Sequence, residues 1–448
     1  MKKIAEKFLV PALSRKLVGL LCLLGISSMA WAAIPIQQWT TNGAKVLFVE
    51  THVIPVIDVN VDFDAGSRRD PAAKSGLAGL TNASLDKGIR DARGIVIAEA
   101  EILDTFADVG AARSNSVNMD KAGYSVRVLS GQEQSDKAVS MLSDLLANPS
   151  FPAELLNRDK ARLIASIREE ETRPESIAAK AFKKNIYPSH PYGVSATPET
   201  VSSISRDDLV SFHKEHYVAN RAVITIVGDT DLNGAKKIAN RIAEKLAVAK
   251  NGLPAMPEVE MTVAGIDAIP HPATQAHILV GMPSVKRGDP DFFALTVGNY
   301  ILGGGGFSSR LMQEVREKRG LTYGVYSSFS PMIQKGPFLI GLQTEKKQAD
   351  AALKVVNSTL DKFLETGPSQ AELNAAKDHL VNSFAMKMDN NRKILDLVSM
   401  IGYYRLPLNY LDTWTDNVKK VTVKDVQKAF HRKVVENELV TVVVGNQE

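Results

Sequence analysis

The chain alternates between two kinds of hydrophobic pattern. Short runs such as "VIDVNVDFDAG" (56–66) and "AHILVGMPSV" (276–285) predict β-strands. Longer stretches place apolar residues at a 3.6-residue period and predict helices: "IVIAEAEILDTFADVG" (95–110), "DKAVSMLSDLLAN" (136–148) and "DAALKVVNSTLDKFLETG" (350–367). Strands come first and helices follow, and the pattern then closes on a strand ending in glycine. This order occurs twice. It predicts an α+β fold of two homologous domains, each a mostly antiparallel sheet packed by helices.

Local sequence supports the duplication. "NRAVITIVGD" (220–229) is echoed by "NELVTVVVGN" (437–446), and "AELLNRDKARL" (153–163) by "AELNAAKDHL" (371–380). "FH" at 212–213 recurs at 430–431. All three lie in the same order at an offset of 217 or 218 residues. The Pro-, Gly- and Ala-rich stretch 249–262 predicts a linker between a first domain, 33–248, and a second, 263–448.

The first 32 residues have a different pattern. Lys2, Lys3, Lys7, Arg15 and Lys16 precede the apolar run "LVGLLCLLGISSM", and "AWA" (30–32) follows as a small-x-small cleavage site. This predicts a cleavable export signal, with the periplasm as destination and no membrane span in the mature chain. The signal also carries the net charge of +4, so the remainder is close to neutral and lacks the basic excess of a nucleic-acid binder. Cys22, the sole cysteine, lies inside the apolar run. The mature chain is thereby left without disulfides, thiol nucleophiles or thiolate metal ligands.

Chemistry is conspicuous by its absence in "GLAGLTNASLDKG" (76–88). Read as one helix ended by Gly88, it carries Leu77, Leu80 and Ser84 on one stripe and Gly79, Asn82 and Ala83 at i, i+3, i+4. That is the spacing of H-x-x-E-H, in which two His bind zinc and the Glu is general base. The segment resembles the "GLAHLLEHMLFKG" element of the pitrilysin/insulinase-type zinc peptidases, which include the mitochondrial processing peptidase. Gly76, Leu77, Ala78, Leu85, Lys87 and Gly88 match; both His and the Glu do not. The family's third ligand, a Glu on a later helix, maps to Asp159. One short carboxylate cannot hold a catalytic zinc, which needs about three protein ligands, so no metal is expected on this chain. "HKEH" (213–216) reads as a helix-end pair without a metal role, and His271 and His277 as ordinary loop residues.

The second half keeps more. In "YILGGGGFSSRLMQEVREKRGLTYGVYSSF" (300–329), four glycines run into a helix with Ser308 or Ser309 as N-cap. A Walker loop needs G-K-[ST] there, and "GFS" stands instead. The glycines otherwise read as a flexible connector. On residue chemistry alone, Arg316 reads better as part of a solvated charged helix face, "EVREKRG", and Tyr323 as a strand residue. The segment resembles the family's "G-G-x-x-S-S-R-L…R-E-K-R-G-L-x-Y" stretch. That resemblance implies substrate handling by Gly303, Gly304, Gly305 and Gly306. It also implies an Arg316–Tyr323 pair that binds the substrate carbonyl opposite the zinc. An Arg fork and a Tyr hydroxyl are both able to donate to a developing oxyanion.

"AARSNSVNMDKAGYSVRVLS" (111–130) sits where the family places a sheet-edge strand. There an extended peptide could pair near Asn115 and Ser116, although an ordinary strand fits equally. The resemblance, spanning residues 35–448, implies half of a clamshell. Such a chain is the non-catalytic subunit of a heterodimeric zinc endopeptidase, inactive alone. Its partner, a homologous subunit, supplies the zinc, and the two share a peptide or unfolded-protein substrate. The competing reading is a peptide-binding or scaffold protein without a proteolytic role.

Overall fold

The computed structural model describes residues 34–91 and 93–446. The predicted export signal and Cys22 lie outside the described residues. The first half contributes β1 (Gln37–Thr41), β2 (Ala44–Glu50), β3 (Val56–Phe63), the short pair β4 (Gly88–Arg90) and β5 (Val96–Ala98), β6 (Ala112–Val117), β7 (Ala122–Leu129) and β8 (Ala222–Gly228). The second contributes β9 (Gly265–Pro270), β10 (Gln275–Val285), β11 (Val325–Phe329), β12 (Gly336–Glu345) and β13 (Val440–Asn446).

The duplication is written into the sheet order. The first sheet runs β1-β2-β8-β3-β7-β6 and the second β9-β13-β10-β12-β11. In each, the last strand of the half inserts between two early ones, parallel to one neighbour and antiparallel to the other: β8 to β2 and β3, β13 to β9 and β10. Gly228 and Gly445, matched by the repeat, both have positive φ (146° and 91°), a region that a β-carbon disfavours.

The helices cross between the halves. The helix Asn391–Tyr403 belongs to the second half but packs on β2, β3 and β8 of the first. The helix Pro174–Ile186, 217 residues earlier, belongs to the first half and packs on β10 and β13 of the second. This is why β8, "AVITIVG", is buried along its whole length. Ile224 and Ile226 face their own half's core, whereas Val223 and Leu47 meet the visiting helix at Gly402. A strand covered on both faces reads as an unbroken apolar run. A β-carbon on Gly402 would lie 2.5 Å from Leu47 Cδ1, so the helix sits close because that position is glycine. Asn60 Nδ2 donates to Ser399 Oγ (3.2 Å) on one side of the exchange, and Asn185 Nδ2 to Asp267 Oδ2 (2.7 Å) on the other. The described residues from Pro35 onward accordingly pack as one compact unit.

Three local expectations need correction. The stretch 95–110 starts as β5 and turns helical only at Glu99–Asp108, because Val96–Ala98 pair with β4. Residues 111–130 form a hairpin, β6 and β7, rather than one strand. His277 lies in β10, not in a loop. The stretch 249–262 has no regular structure, but it is anchored. Its carbonyls at Ala249, Pro254 and Pro257 accept from Asn220, Arg69 and His190, respectively.

Candidate functional site

The frame "GLAGLTNASLDKG" folds as a helix over Leu77–Ala83 only. Beyond Ala83 the chain makes a turn that puts Leu85 in the core, and Gly88 already belongs to β4. The predicted single helix to Gly88 is thus five residues too long; pairing of β4 with β5 won over helical continuation. The helix starts at Gly76 (φ 105°) and is capped from a distance by Asp70, whose carboxylate accepts the Gly76 and Ala78 N–H groups at 2.8 Å. Burial pushes the Asp70 carboxyl up to about 6 against those hydrogen bonds. Leu77, Leu80, Ser84 and Leu85 are all buried, which explains why this frame persists without its chemistry. Truncating any of the three leucines would cost about 2–5 kcal/mol.

The metal-ligand positions are not arranged to bind metal. Gly79 faces open space, with no atom within 4 Å of where a β-carbon would stand. Asn82 is buried and committed: its Nδ2 donates to Gly123 O (3.2 Å) and Tyr217 Oη (3.3 Å). Ala83 is half-buried and has only a methyl to offer. Asp159 accepts from Arg158 Nε at 2.9 Å, with Arg162 at 3.7 Å. Among the described residues no group of three or more His, Cys, Asp or Glu side chains is placed to hold a metal. A zinc ion does not fit this donor set. The His213 and His216 rings diverge onto separate carbonyls, Leu146 O and Asp64 O, both at 2.8 Å. Burial pushes His213 down to about 4. Installing Gly79→His, Asn82→Glu and Ala83→His together is expected to give at best weak zinc binding by calorimetry, because Asp159 is short and already paired. Tight binding would contradict this account of Asp159.

Next to Gly79 lies a cavity of about 970 Å³, bounded in part by Val117, Met119, Leu163, Ile167 and Ile177. Strand β6 ends the first sheet, with its outer edge unpaired among the described strands. Asn115 and Ser116 sit on it, exposed, and Asn115 Nδ2 reaches Asn82 O at 3.4 Å. The structure therefore places the candidate peptide-pairing strand against the degenerate helix.

The glycine-rich segment is more ordered than a flexible connector. Tyr300–Gly304 makes one turn of wide π geometry. Gly303 is buried so tightly against β11 that a β-carbon would stand 2.5 Å from Ser327 N. Gly304 and Gly305 lie over Asn299 and Tyr300, and Gly306 alone (φ 57°) faces open space. Ser308 lies in a tight turn, Gly306–Ser308. Ser309 takes the extended conformation of a helix start, but its hydroxyl donates to Gly306 O (2.7 Å) rather than to the helix.

Arg310 ties the helical segment after these glycines to the helix Gln370–Ser383 through a two-point ion pair with Glu372 (2.7 and 2.8 Å). That pair holds the Glu372 carboxyl down at about 2, against an ordinary 4.5. The folded state therefore binds fewer protons than the unfolded state between these values. The stabilisation is complete above pH 4.5 and is lost as pH falls toward 2. Arg310→Met is expected to flatten the acid limb of stability in that window, as read from urea midpoints against pH.

Arg316 is half-buried, with its guanidinium carbon 4.6 Å from the centroid of the exposed Phe307 ring. Its nearest carboxylate is Glu317 at 3.7 Å. Among the described residues its guanidinium donates no hydrogen bond within the protein. Tyr323 follows the turn at Gly320 and is 81% exposed. Arg316 and Tyr323 belong to the second half, Gly79, Asn82 and Ala83 to the first. The helix Pro174–Ile186 stands between: its Ala179 lines both the cavity beside Gly79 and another, of about 890 Å³, bounded by Gly324 and Tyr326. Phe307 was invisible to sequence reasoning. Its only signal was a large aromatic directly after four glycines.

Two homologous α+β halves, with a ligand-free peptidase frame in the first and an uncommitted arginine in the second, define a peptidase-fold protein with a lapsed metal centre. This chain belongs to the M16 (insulinase) peptidase family. The family's insulinase domain matches residues 45–197 and its "Peptidase M16 inactive domain" matches residues 203–380. The crystal structure of a peptidase M16 inactive domain from Pseudomonas fluorescens is 35% identical with a TM-score of 0.87, over 92% of this chain and 98% of that one. A Helicobacter pylori protein named "Non-peptidase homolog YmxG" is 25% identical over 99% of both chains. The Bacillus subtilis "Uncharacterized zinc protease YmxG" is 24% identical over 79% of this chain and 85% of its own length. The chain is an inactive M16-like homologue. Among the described residues, no helix is long and apolar enough to cross a membrane.

Proposed function

We propose that this chain is the non-catalytic subunit of an exported, heterodimeric zinc endopeptidase. It binds an extended peptide along β6, near Asn115 and Ser116, and presents Arg316 and Tyr323 to the zinc site of a homologous partner. The observation that carries this reading is the state of Arg316. Ring stacking on Phe307 orients its guanidinium, and among the described residues its N–H donors make no hydrogen bond within the protein.

Zinc in the partner would supply the activated water and the attack on the amide. The part played by this chain is to hold the peptide backbone and to donate hydrogen bonds to the carbonyl oxygen as charge develops on it. Of the four glycines, Gly306, which faces open space, is the one free for backbone contact with the substrate, while Gly303, Gly304 and Gly305 pack the loop onto its own half. The basic and apolar leader supports export and a periplasmic location.

The test is affinity capture of the tagged protein from its native extract, with zinc analysis and a peptide-cleavage assay on the eluate. A zinc-bearing homologue recovered at 1:1, with cleavage absent from the bait alone, supports the proposal. Recovery of the chain alone, metal-free and inactive, favours the scaffold or peptide-binding reading.

A further inference from the structure

Between the two halves, away from both candidate segments, lies a cavity of about 560 Å³ lined by four cations. Lys45 comes from β2 and Arg221 from the turn before β8, both in the first half. Arg287 follows β10 and Arg405 follows the helix Asn391–Tyr403, both in the second. Thr40 also lines the wall, as do Asn220, Tyr403 and Tyr404, whose polar groups are engaged by Ala249 and Asp120.

The charges in this cavity are not balanced from within. Among the described residues, none of the four cations has a carboxylate within 4.0 Å. Among the described residues, the one carboxylate in the lining, Asp64, pairs with Arg68 (2.7 Å) and Arg69 (2.8 Å) outside the group and acts on Arg221 only from beyond 4.0 Å. Lys45 Nζ has one weak partner, Gly402 O at 3.3 Å. Arg221 donates to two backbone carbonyls, Glu215 O and Asn251 O, and the Glu215 and Asp64 carboxylates attract it only from beyond ion-pair distance. Arg287 stacks on Tyr404 at 4.9 Å, and its Nε is buried without an acceptor. Burial, and then repulsion from Arg405, both lower the pKa of Lys45, which places those two like charges within mutual reach.

A second, independent feature marks the same spot. Arg405 has φ 55°, one of three non-glycine residues in the left-handed region among those described. It ends its helix in the position that glycine usually fills: the Leu406 N–H bonds back to Ile401 O and the Tyr404 N–H to Met400 O, each at 3.0 Å. A β-carbon there is held against its backbone preference, and such strain persists where the side chain has a use. Arg405 thereby stands in the wall of the cavity.

From this convergence we infer a binding site for a small multivalent oxyanion, bearing phosphate or carboxylate groups, held between Lys45, Arg221, Arg287 and Arg405. Arginine forks match the paired oxygens of either group, and the volume suits a small molecule rather than a chain segment. Because each half contributes two of the cations, the bound anion fastens the halves together. The inference is independent of the proposed peptidase partnership.

Calorimetric titration of the purified protein with pyrophosphate and, separately, citrate, at about 0.15 M salt, tests it. Saturable 1:1 binding of at least one is expected, and the stronger of the two identifies the phosphate or carboxylate source. Arg405→Gly is expected to weaken binding tenfold or more while leaving the unliganded melting temperature unchanged or higher, since glycine relieves the left-handed strain. Arg287→Gln is expected to weaken binding comparably. No saturable binding of either anion, or wild-type affinity in both variants, overturns the site.

Discussion

Arg316→Ala is expected to lower peptide turnover by the reconstituted pair about 10²–10³-fold, the usual consequence of removing one donor aimed at a developing oxyanion. Assembly with the zinc-bearing subunit should be unaffected, because Arg316 forms no hydrogen bond within its own chain among the described residues and only stacks on the exposed Phe307. The loss should fall on kcat more than on KM, since the interaction strengthens only as charge develops. Arg316→Lys should recover little, as an ammonium keeps the charge without the planar fork. Size-exclusion chromatography and steady-state kinetics on the same preparation separate the two effects. Unchanged turnover in Arg316→Ala would remove the basis for the in-trans role.

Asp120→Ala is expected to be the most damaging single substitution for stability, at about 3–5 kcal/mol. Asp120 lies in the β6–β7 turn and is only 1% exposed. Its carboxylate accepts from the Tyr192 hydroxyl of its own half and, at 2.9 Å each, from the Ile333 N–H and the Tyr404 hydroxyl of the other. Arg68 Nε approaches at 3.5 Å, and the Asp120 carbonyl accepts from Tyr403 Oη at 2.6 Å. Removing the carboxylate strands the Ile333 N–H and two tyrosine hydroxyls in the interior between the halves, and each buried orphan adds its own desolvation cost. Asp120→Asn keeps the shape but loses charge and an acceptor, so a smaller loss is expected. Urea unfolding followed by fluorescence and circular dichroism would show a lower midpoint. A variant within about 1 kcal/mol of wild type would show that the exchanged helices alone join the halves.

The two predictions rest on features of very different visibility in the sequence. Arg316 and Tyr323 stood in a recognisable segment, so their candidacy preceded any coordinate. The Phe307 ring against Arg316 did not, because stacking depends on how the loop after Gly306 turns. Asp120 had no sequence signal at all. In "NMDKAGY" it is one acidic residue of a hairpin turn, and most such residues are solvated. Its three cross-half donors lie 213, 283 and 284 residues away.

What the sequence determined by itself was the kind of protein this is. Apolar periodicity gives strands and helices because burial acts residue by residue along each element. The 217-residue echo gives two halves, and the i, i+3, i+4 set at Gly79, Asn82 and Ala83 carries neither the His pair nor the Glu of H-x-x-E-H whatever the fold. Element ends were decided later, as where β4–β5 pairing cut short the helix at Ala83. Only the tertiary structure decided the rest: the exchange of the helices Pro174–Ile186 and Asn391–Tyr403, the Asp120 junction, and the four cations around one cavity. These depend on which distant surfaces meet. No local pattern encodes that, because the free energy of such contacts belongs to pairs of residues that are neighbours only once the chain has folded.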